Sequence, residues 1–233
     1  MTAVKGKVYG VGVGPGDPEL MTLKAVRLIR ENDVIAVPGK EAKDAVAYKI
    51  AAAVVSEIEA KELLPVYMPM VKDRELISIE HEKGAKQIEE YLDQGKNVVY
   101  LTLGDSTIYC TFSYLQHILE KDGYEVELVS GIPSFCAAAA RLNVSLAEWD
   151  EPLHIVPAVH KTHEQLHYEG NYVLMKSASH MKEVKELLRS KNLQVSCVEN
   201  CSMETEKVYR GLEDIPDDAG YFSLIIAKEN PVQ

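Results

Sequence analysis

Apolar and polar positions along this chain follow two rhythms. Short apolar runs of period two predict strands, and longer runs of period near 3.6 predict helices. Lys7 to Val13 alternates apolar residues with glycine and reads as a buried strand, which Gly14-Pro-Gly-Asp-Pro18 forces into a loop. Thr22 is placed to N-cap an amphipathic run, Leu23 to Glu31. Val34 to Val37 predicts a second strand, stopped by Pro38-Gly39. Ala45 to Val55 and Glu75 to Asp93 predict helices, the latter closed by Gly95. Asn97 to Thr102 is the next strand, Gly104-Asp-Ser106 the next turn, and Thr111 to Lys121 a helix closing on Gly123. The second half repeats the alternation. Glu125–Val129, His154–Val156, Val173–Met175, Val195–Glu199 and Tyr221–Ala227 read as strands; Ser134–Leu142 and Met181–Lys191 read as helices. Strands separated by helices predict an α/β fold with mostly parallel sheet. A boundary near Gly123 gives each half its own strand–helix set, so the expected domains are 1–123 and 124–233.

Composition narrows the class. The 233 residues are 46% hydrophobic, enough to bury a core, and carry a net charge of −11 from 25 Lys+Arg against 36 Asp+Glu. That balance, with no long basic run, argues against nucleic acid as a partner. No apolar stretch approaches a membrane span, and the N-terminus lacks a signal region, so a cytoplasmic protein is expected. Cys110, Cys136, Cys197 and Cys201 are too scattered for a disulfide scaffold. No metal site is expected. His160, His163 and His167 share helical spacing without a supporting Cys or carboxylate motif, and Cys197 and Cys201 have no second pair.

The chemistry points to three glycine loops at three strand ends. Gly10-Val-Gly-Val-Gly-Pro-Gly-Asp17 fails the dinucleotide fingerprint: the sixth position from Gly10 is Pro15, and from Gly12 it is Asp17. It also lacks the Gly-Lys-Ser/Thr of a phosphate loop. A nicotinamide-dependent dehydrogenase is therefore disfavoured. In the second loop, Leu103-Gly-Asp-Ser-Thr-Ile-Tyr109, Asp105 could accept hydrogen bonds from a ligand or could simply cap a helix starting near Thr107. The third, Ser130-Gly-Ile-Pro-Ser-Phe135, opens a helix. Three such loops at strand ends predict one shared crevice.

On these residues the chain resembles the tetrapyrrole methylases, which transfer methyl groups from S-adenosylmethionine to carbons of corrin and sirohaem precursors. Val13-Gly-Pro-Gly-Asp-Pro-Glu-Leu-Met-Thr-Leu-Lys-Ala25 carries the family resemblance. Pro38-Gly-Lys40, Ala47-Tyr-Lys-Ile-Ala51, Met68-Pro-Met70, Leu103–Tyr109, Thr111–Tyr114, Gly131–Leu142, Val173–Lys176 and Tyr221–Ile226 make it most similar to the precorrin-2 / cobalt-factor II C-20-methyltransferases. The resemblance implies two α/β domains with the cofactor cleft between them, a homodimer, and methylation at C-20 in cobalamin biosynthesis. The alternatives are methylation at another ring carbon, a diphthine synthase, or a cofactor sensor without turnover. It also implies cofactor contacts at Pro15, Leu103, Gly104, Asp105, Ile108, Pro133, Ser134, Phe135, Met175 and Cys201. Asp105 and Tyr109 are candidates by position for a catalytic base. Lys40 and Arg74 are candidates for the carboxylates of the tetrapyrrole, with Lys43, Lys49, Lys72, Arg141 and Lys176 nearby in sequence. The family pattern has proline where this chain has Ser106, proline where it has Ser130, and often glycine where it has Cys201.

Overall fold

The computed structural model describes residues 4–158 and 162–229. The chain forms two compact units, Met1–Pro133 and Ser134–Gln233.

The first unit is built on β1 (Lys7–Gly12), α1 (Leu23–Glu31), β2 (Val34–Pro38), α2 (Val46–Val54), β3 (Glu62–Val66), α3 (Arg74–Leu92), β4 (Val98–Thr102), α4 (Phe112–Lys121) and β5 (Glu125–Val129). All five strands are parallel, in the order β3-β2-β4-β1-β5. Alternation along the strands sends side chains to two cores. Ile35, Val37, Val99 and Leu101 face one side with α1 and α2, which supply Ala25, Leu28, Ile29, Tyr48, Ile50 and Ala51. Val34, Ala36, Val98 and Tyr100 face the other with α3 and α4, which supply Ala85, Ile88, Leu92, Phe112, Leu115 and Leu119. A sheet covered on both faces needs near-continuous apolar strands, and β4 is buried at all five positions.

Local chemistry sets the helix ends. The Thr22 hydroxyl accepts from the Ala25 N–H at 3.2 Å, and Asp73 accepts from Glu75 and Leu76 N–H at 3.1 Å each. Gly95, at φ +76°, returns its N–H to the Leu92 carbonyl at 3.0 Å. The sequence division at Gly123 falls before β5, whereas the first unit runs to Pro133, because β5 pairs along its length with β1. β3 is a strand that the sequence pattern passes over. Pro65 interrupts its apolar run, and it is tolerated because β3 lies at the sheet edge.

Ionic contacts fasten β5. Lys7 reaches Glu125 at 2.6 Å and Glu127 at 2.7 Å, and Lys24 of α1 reaches Glu127 at 2.7 Å. Hydrogen bonds from Lys24 and then Lys7 hold the Glu127 carboxyl down at about 2. Its stabilisation is present above the unfolded value near 4.3 and is lost as pH falls towards about 2. The melting-temperature gap between wild type and Glu127→Gln should therefore close as pH is lowered from about 5 to about 2. A gap independent of pH would show that these contacts do not fasten the strand.

The second unit holds α5 (Ser134–Leu142), β6 (Leu153–Pro157), a four-residue helix α6 (Thr162–Gln165), β7 (Asn171–Met175), α7 (Met181–Arg189), β8 (Leu193–Glu199), β9 (Lys207–Tyr209) and β10 (Ser223–Glu229). The strand order is β6-β7-β10-β8-β9. The expectation of mostly parallel sheet fails here. β6 and β7 are parallel, but β10 is antiparallel to both neighbours and β9 is antiparallel to β8. The physical reason lies in the connections. Helix α7 carries the chain from β7 to β8 in the same direction, leaving a one-strand gap. The chain then turns back as β9, and β10 enters the gap in the same sense as β9, antiparallel to both β7 and β8. On α7, Met181, Val184 and Leu188 are buried in the unit's core. Lys185 is buried beside them, its ammonium donating to the Ile215 carbonyl at 2.6 Å and pairing with Asp217 at 3.1 Å.

Candidate cofactor and substrate site

In a parallel sheet every strand ends at the same edge, so the loops after β1, β4 and β5 meet there. The contact between them is backbone to backbone. Gly14 and Gly104 exchange two hydrogen bonds, at 3.1 and 2.7 Å, with both residues at positive φ. Gly12, Gly104 and Gly131 pack with no room for a side chain. A Cβ on Gly131 would lie 2.2 Å from the Gly104 carbonyl oxygen, and one on Gly12 would lie 2.7 Å from the Gly131 nitrogen. The Thr22 hydroxyl also reaches the Ser130 carbonyl at 3.5 Å.

Asp105 sits at the centre of this junction and is 8% exposed. One carboxylate oxygen accepts from the Thr107 N–H at 2.7 Å and from the Thr107 hydroxyl; the other accepts from the Gly131 N–H at 2.9 Å. Three donors of the chain itself therefore hold it, and it ties the second loop to the third. It caps no helix at Thr107, since α4 begins at Phe112. Ser106 makes a second tie, its hydroxyl donating to the Val129 carbonyl at 3.0 Å. A proline in its place could not make that bond. Thr107 was not singled out from the sequence, although an Asp followed two residues later by a hydroxyl residue is an available turn signal.

Around the junction, Pro15 is buried, while Leu103, Ile108 and Pro133 are half-buried. Tyr109 is exposed and has left-handed backbone, φ 49°. Burial pushes its phenol above the ordinary value, so at neutral pH it is protonated and suits a hydrogen-bond donor better than a base.

The second unit brings its own candidates to strand ends. Met175 ends β7, and Cys201 follows β8, which runs in the same direction. Ser134 and Phe135 open α5. Left-handed residues flank these positions: Lys176 at φ 60°, Asn200 at 51° and Ser202 at 64°. Non-glycine residues in that region cost energy and persist only where their surroundings hold them. Here the Asn200 side chain donates to the Thr205 hydroxyl at 3.0 Å, and the Ser202 N–H donates to Glu206 at 2.8 Å. Cys201 is buried, and burial raises its thiol above the usual range. Cys197 is a core residue whose thiol burial pushes up to about 12. His160 lies outside the described residues, as does the side chain of His163.

The basic candidates separate. Lys40 is exposed, with its ammonium 5.1 Å from the centre of the Tyr67 ring. Arg74 is exposed as the first residue of α3. Arg141 is paired with Glu206 and is committed to the loop that carries Cys201. No helix among the described residues is long and apolar enough to cross a membrane.

A family model described as Tetrapyrrole (Corrin/Porphyrin) Methylases matches residues 7–215. The chain is similar to a Methanocaldococcus jannaschii protein named "Probable cobalt-precorrin-2 C(20)-methyltransferase", 36% identical over 95% of this chain and 96% of that one. Its fold is similar to the X-ray structure of a cobalt precorrin-4 methyltransferase, with a TM-score of 0.75 at 22% identity over 95% of this chain and 94% of that one. It is also similar to a uroporphyrin-III C-methyltransferase from Thermus thermophilus, solved as a complex with S-adenosylhomocysteine, with a TM-score of 0.68 at 24% identity over 96% and 98% of the two chains. With glycine loops meeting at one sheet edge and a family match spanning both units, the chain belongs to the tetrapyrrole (corrin/porphyrin) methylases.

Proposed function

We propose that this protein transfers the methyl group of S-adenosylmethionine to C-20 of precorrin-2, or of its cobalt-loaded counterpart cobalt-factor II, in cobalamin biosynthesis. The observation that carries this reading is the 36% identity, over nearly all of both chains, to a protein named for that regiochemistry. The residues fit the cofactor. Leu103, Ile108 and Met175 are half-buried apolar groups suited to an adenosyl moiety. Each is followed by a left-handed residue, Gly104, Tyr109 and Lys176. Pro15, Gly104, Asp105, Pro133, Ser134, Phe135 and Cys201 complete the proposed set.

When bound, S-adenosylmethionine supplies an electrophilic methyl on a sulfonium that departs as a neutral thioether. The chain then has no leaving group to protonate, and its task is alignment, in which a 1 Å error can cost about a hundredfold in rate. Asp105 serves that task as the tie that fixes two loops. The same reading makes the protein a homodimer, as the family resemblance implies, and we propose that it works in the cytoplasm.

Incubation with precorrin-2 or cobalt-factor II and methyl-¹³C cofactor, followed by NMR of the product, should place the label almost exclusively on C-20. A label on a pyrrole-ring carbon, or on a diphthamide-precursor peptide, would move the protein elsewhere in the family.

A further inference from the structure

We infer that Tyr67 and Met70, with Lys40 above the Tyr67 ring, form the platform on which the tetrapyrrole macrocycle lies. This deepens the proposed function and rests on it. The first observation is position. β2 and β3 run parallel to β4, so residues 39–40 and 67–72 leave the sheet at the edge that carries the glycine junction. From the β4 loop to β3 is two strand spacings, roughly 10 Å, a span that a four-pyrrole ring can bridge. The second is exposure. Tyr67 is 38%, Met70 77% and Val71 45% exposed, while Pro69 between them is buried and Met68 packs into the core. Met68 and Pro69 anchor the segment, and Tyr67 on one side and Met70 and Val71 on the other are exposed.

The chemistry matches one kind of occupant. Tyr67 offers a flat ring, Met70 a polarizable thioether that suits an aromatic or conjugated partner, and Lys40 a cation over the Tyr67 ring. The Gly39 N–H donates to the Val66 carbonyl at 2.9 Å, which fixes the Lys40 turn against the base of Tyr67. Lys72 and Arg74 add exposed cations beyond them. Acidic neighbours are present at Glu41, Asp73 and Glu75, but Asp73 directs its carboxylate to the first amides of α3. A conjugated macrocycle bearing carboxylates around its rim would cover the ring and thioether and place carboxylates on the cations. A second copy of the chain would cover the same residues, and the experiment separates the two.

The probe is uroporphyrin III, a stable tetrapyrrole polycarboxylate, titrated by fluorescence. S-adenosylhomocysteine calorimetry and sedimentation are run on the same samples. Tyr67→Ala should weaken uroporphyrin binding about five- to tenfold, Tyr67→Phe should restore it, and Met70→Ala should weaken it about threefold. Lys40→Gln should weaken binding and flatten its dependence on salt. S-adenosylhomocysteine affinity should stay at the wild-type value throughout, which also shows that the variants fold. Unchanged uroporphyrin affinity in Tyr67→Ala and Met70→Ala would overturn the platform, as would loss of self-association with tetrapyrrole binding intact. The underlying reading fails differently. If wild type labels a carbon other than C-20 while uroporphyrin binding still depends on Tyr67, the platform stands and the regiochemistry falls. If wild type labels C-20 and Tyr67→Ala does so with unchanged KM, the reverse holds.

Discussion

Gly131→Ala should produce the largest single loss, lowering stability by about 1–3 kcal/mol or more and greatly weakening S-adenosylhomocysteine binding. The new methyl would lie 2.2 Å from the Gly104 carbonyl oxygen and 2.8 Å from the carbonyl carbon and oxygen of Gly12. All of these are backbone atoms, so no side-chain rotation can relieve the overlap. The second and third loops must move apart, and the bond from Gly131 to Asp105 breaks with them. Gly123→Ala is the matched control. Gly123 has a positive φ of 82° but nothing within 4 Å of its added Cβ. It should cost only the left-handed penalty of about 1–2 kcal/mol and leave cofactor binding intact. Urea denaturation and calorimetry on both variants make the comparison. Equal cofactor affinity in the two would show that the packed junction does not support the binding site.

Asp105→Ala should be the second largest. It leaves the Gly131 N–H without its partner in a buried place, at about 1–3 kcal/mol, and also removes the acceptor of the Thr107 N–H and hydroxyl at the exposed side of the junction. Asp105→Asn should cost less than alanine. Its one amide oxygen can still accept from one side, but its NH₂ then faces the other donor. Cofactor affinity should fall in parallel with stability along the series from Asp to Asn to Ala. If turnover vanished in Asp105→Asn while melting temperature and S-adenosylhomocysteine affinity held, Asp105 would be a catalytic base and the tie of secondary importance.

The sequence was most informative where a local rule governs the outcome. Thr22 caps the helix it was expected to cap, and α1 and α5 span Leu23–Glu31 and Ser134–Leu142, as their patterns predict. The three loops at strand ends were legible for the same reason, since glycine and proline punctuate a chain locally. What was hidden depends on distant partners. β3 reads poorly because of Pro65, and only its place at the sheet edge excuses that proline. The partner of Asp105 is 26 residues away, so its carboxylate reads from sequence as a ligand acceptor or a cap and from structure as a tie between loops. Arg141, one of the cations near the motif segments in sequence, is claimed by Glu206 across 65 residues. Strand direction in the second sheet was likewise invisible to periodicity, which reports faces and not sense.

The position of β10 has a consequence for the order in which the second unit can form. The strand latest in sequence occupies the middle of its sheet, between β7 and β8. As the chain emerges during synthesis, the first unit can close its sheet once β5 is out, since all five of its strands precede residue 130. The second cannot. Until residues 223–229 arrive, β6 and β7 form one ribbon and β8 and β9 another, and each presents an unpaired edge to the vacant slot. The nascent second unit is therefore two half-sheets awaiting a keystone, the stage at which the chain exposes most strand edge to chaperones and to mispairing with neighbouring chains.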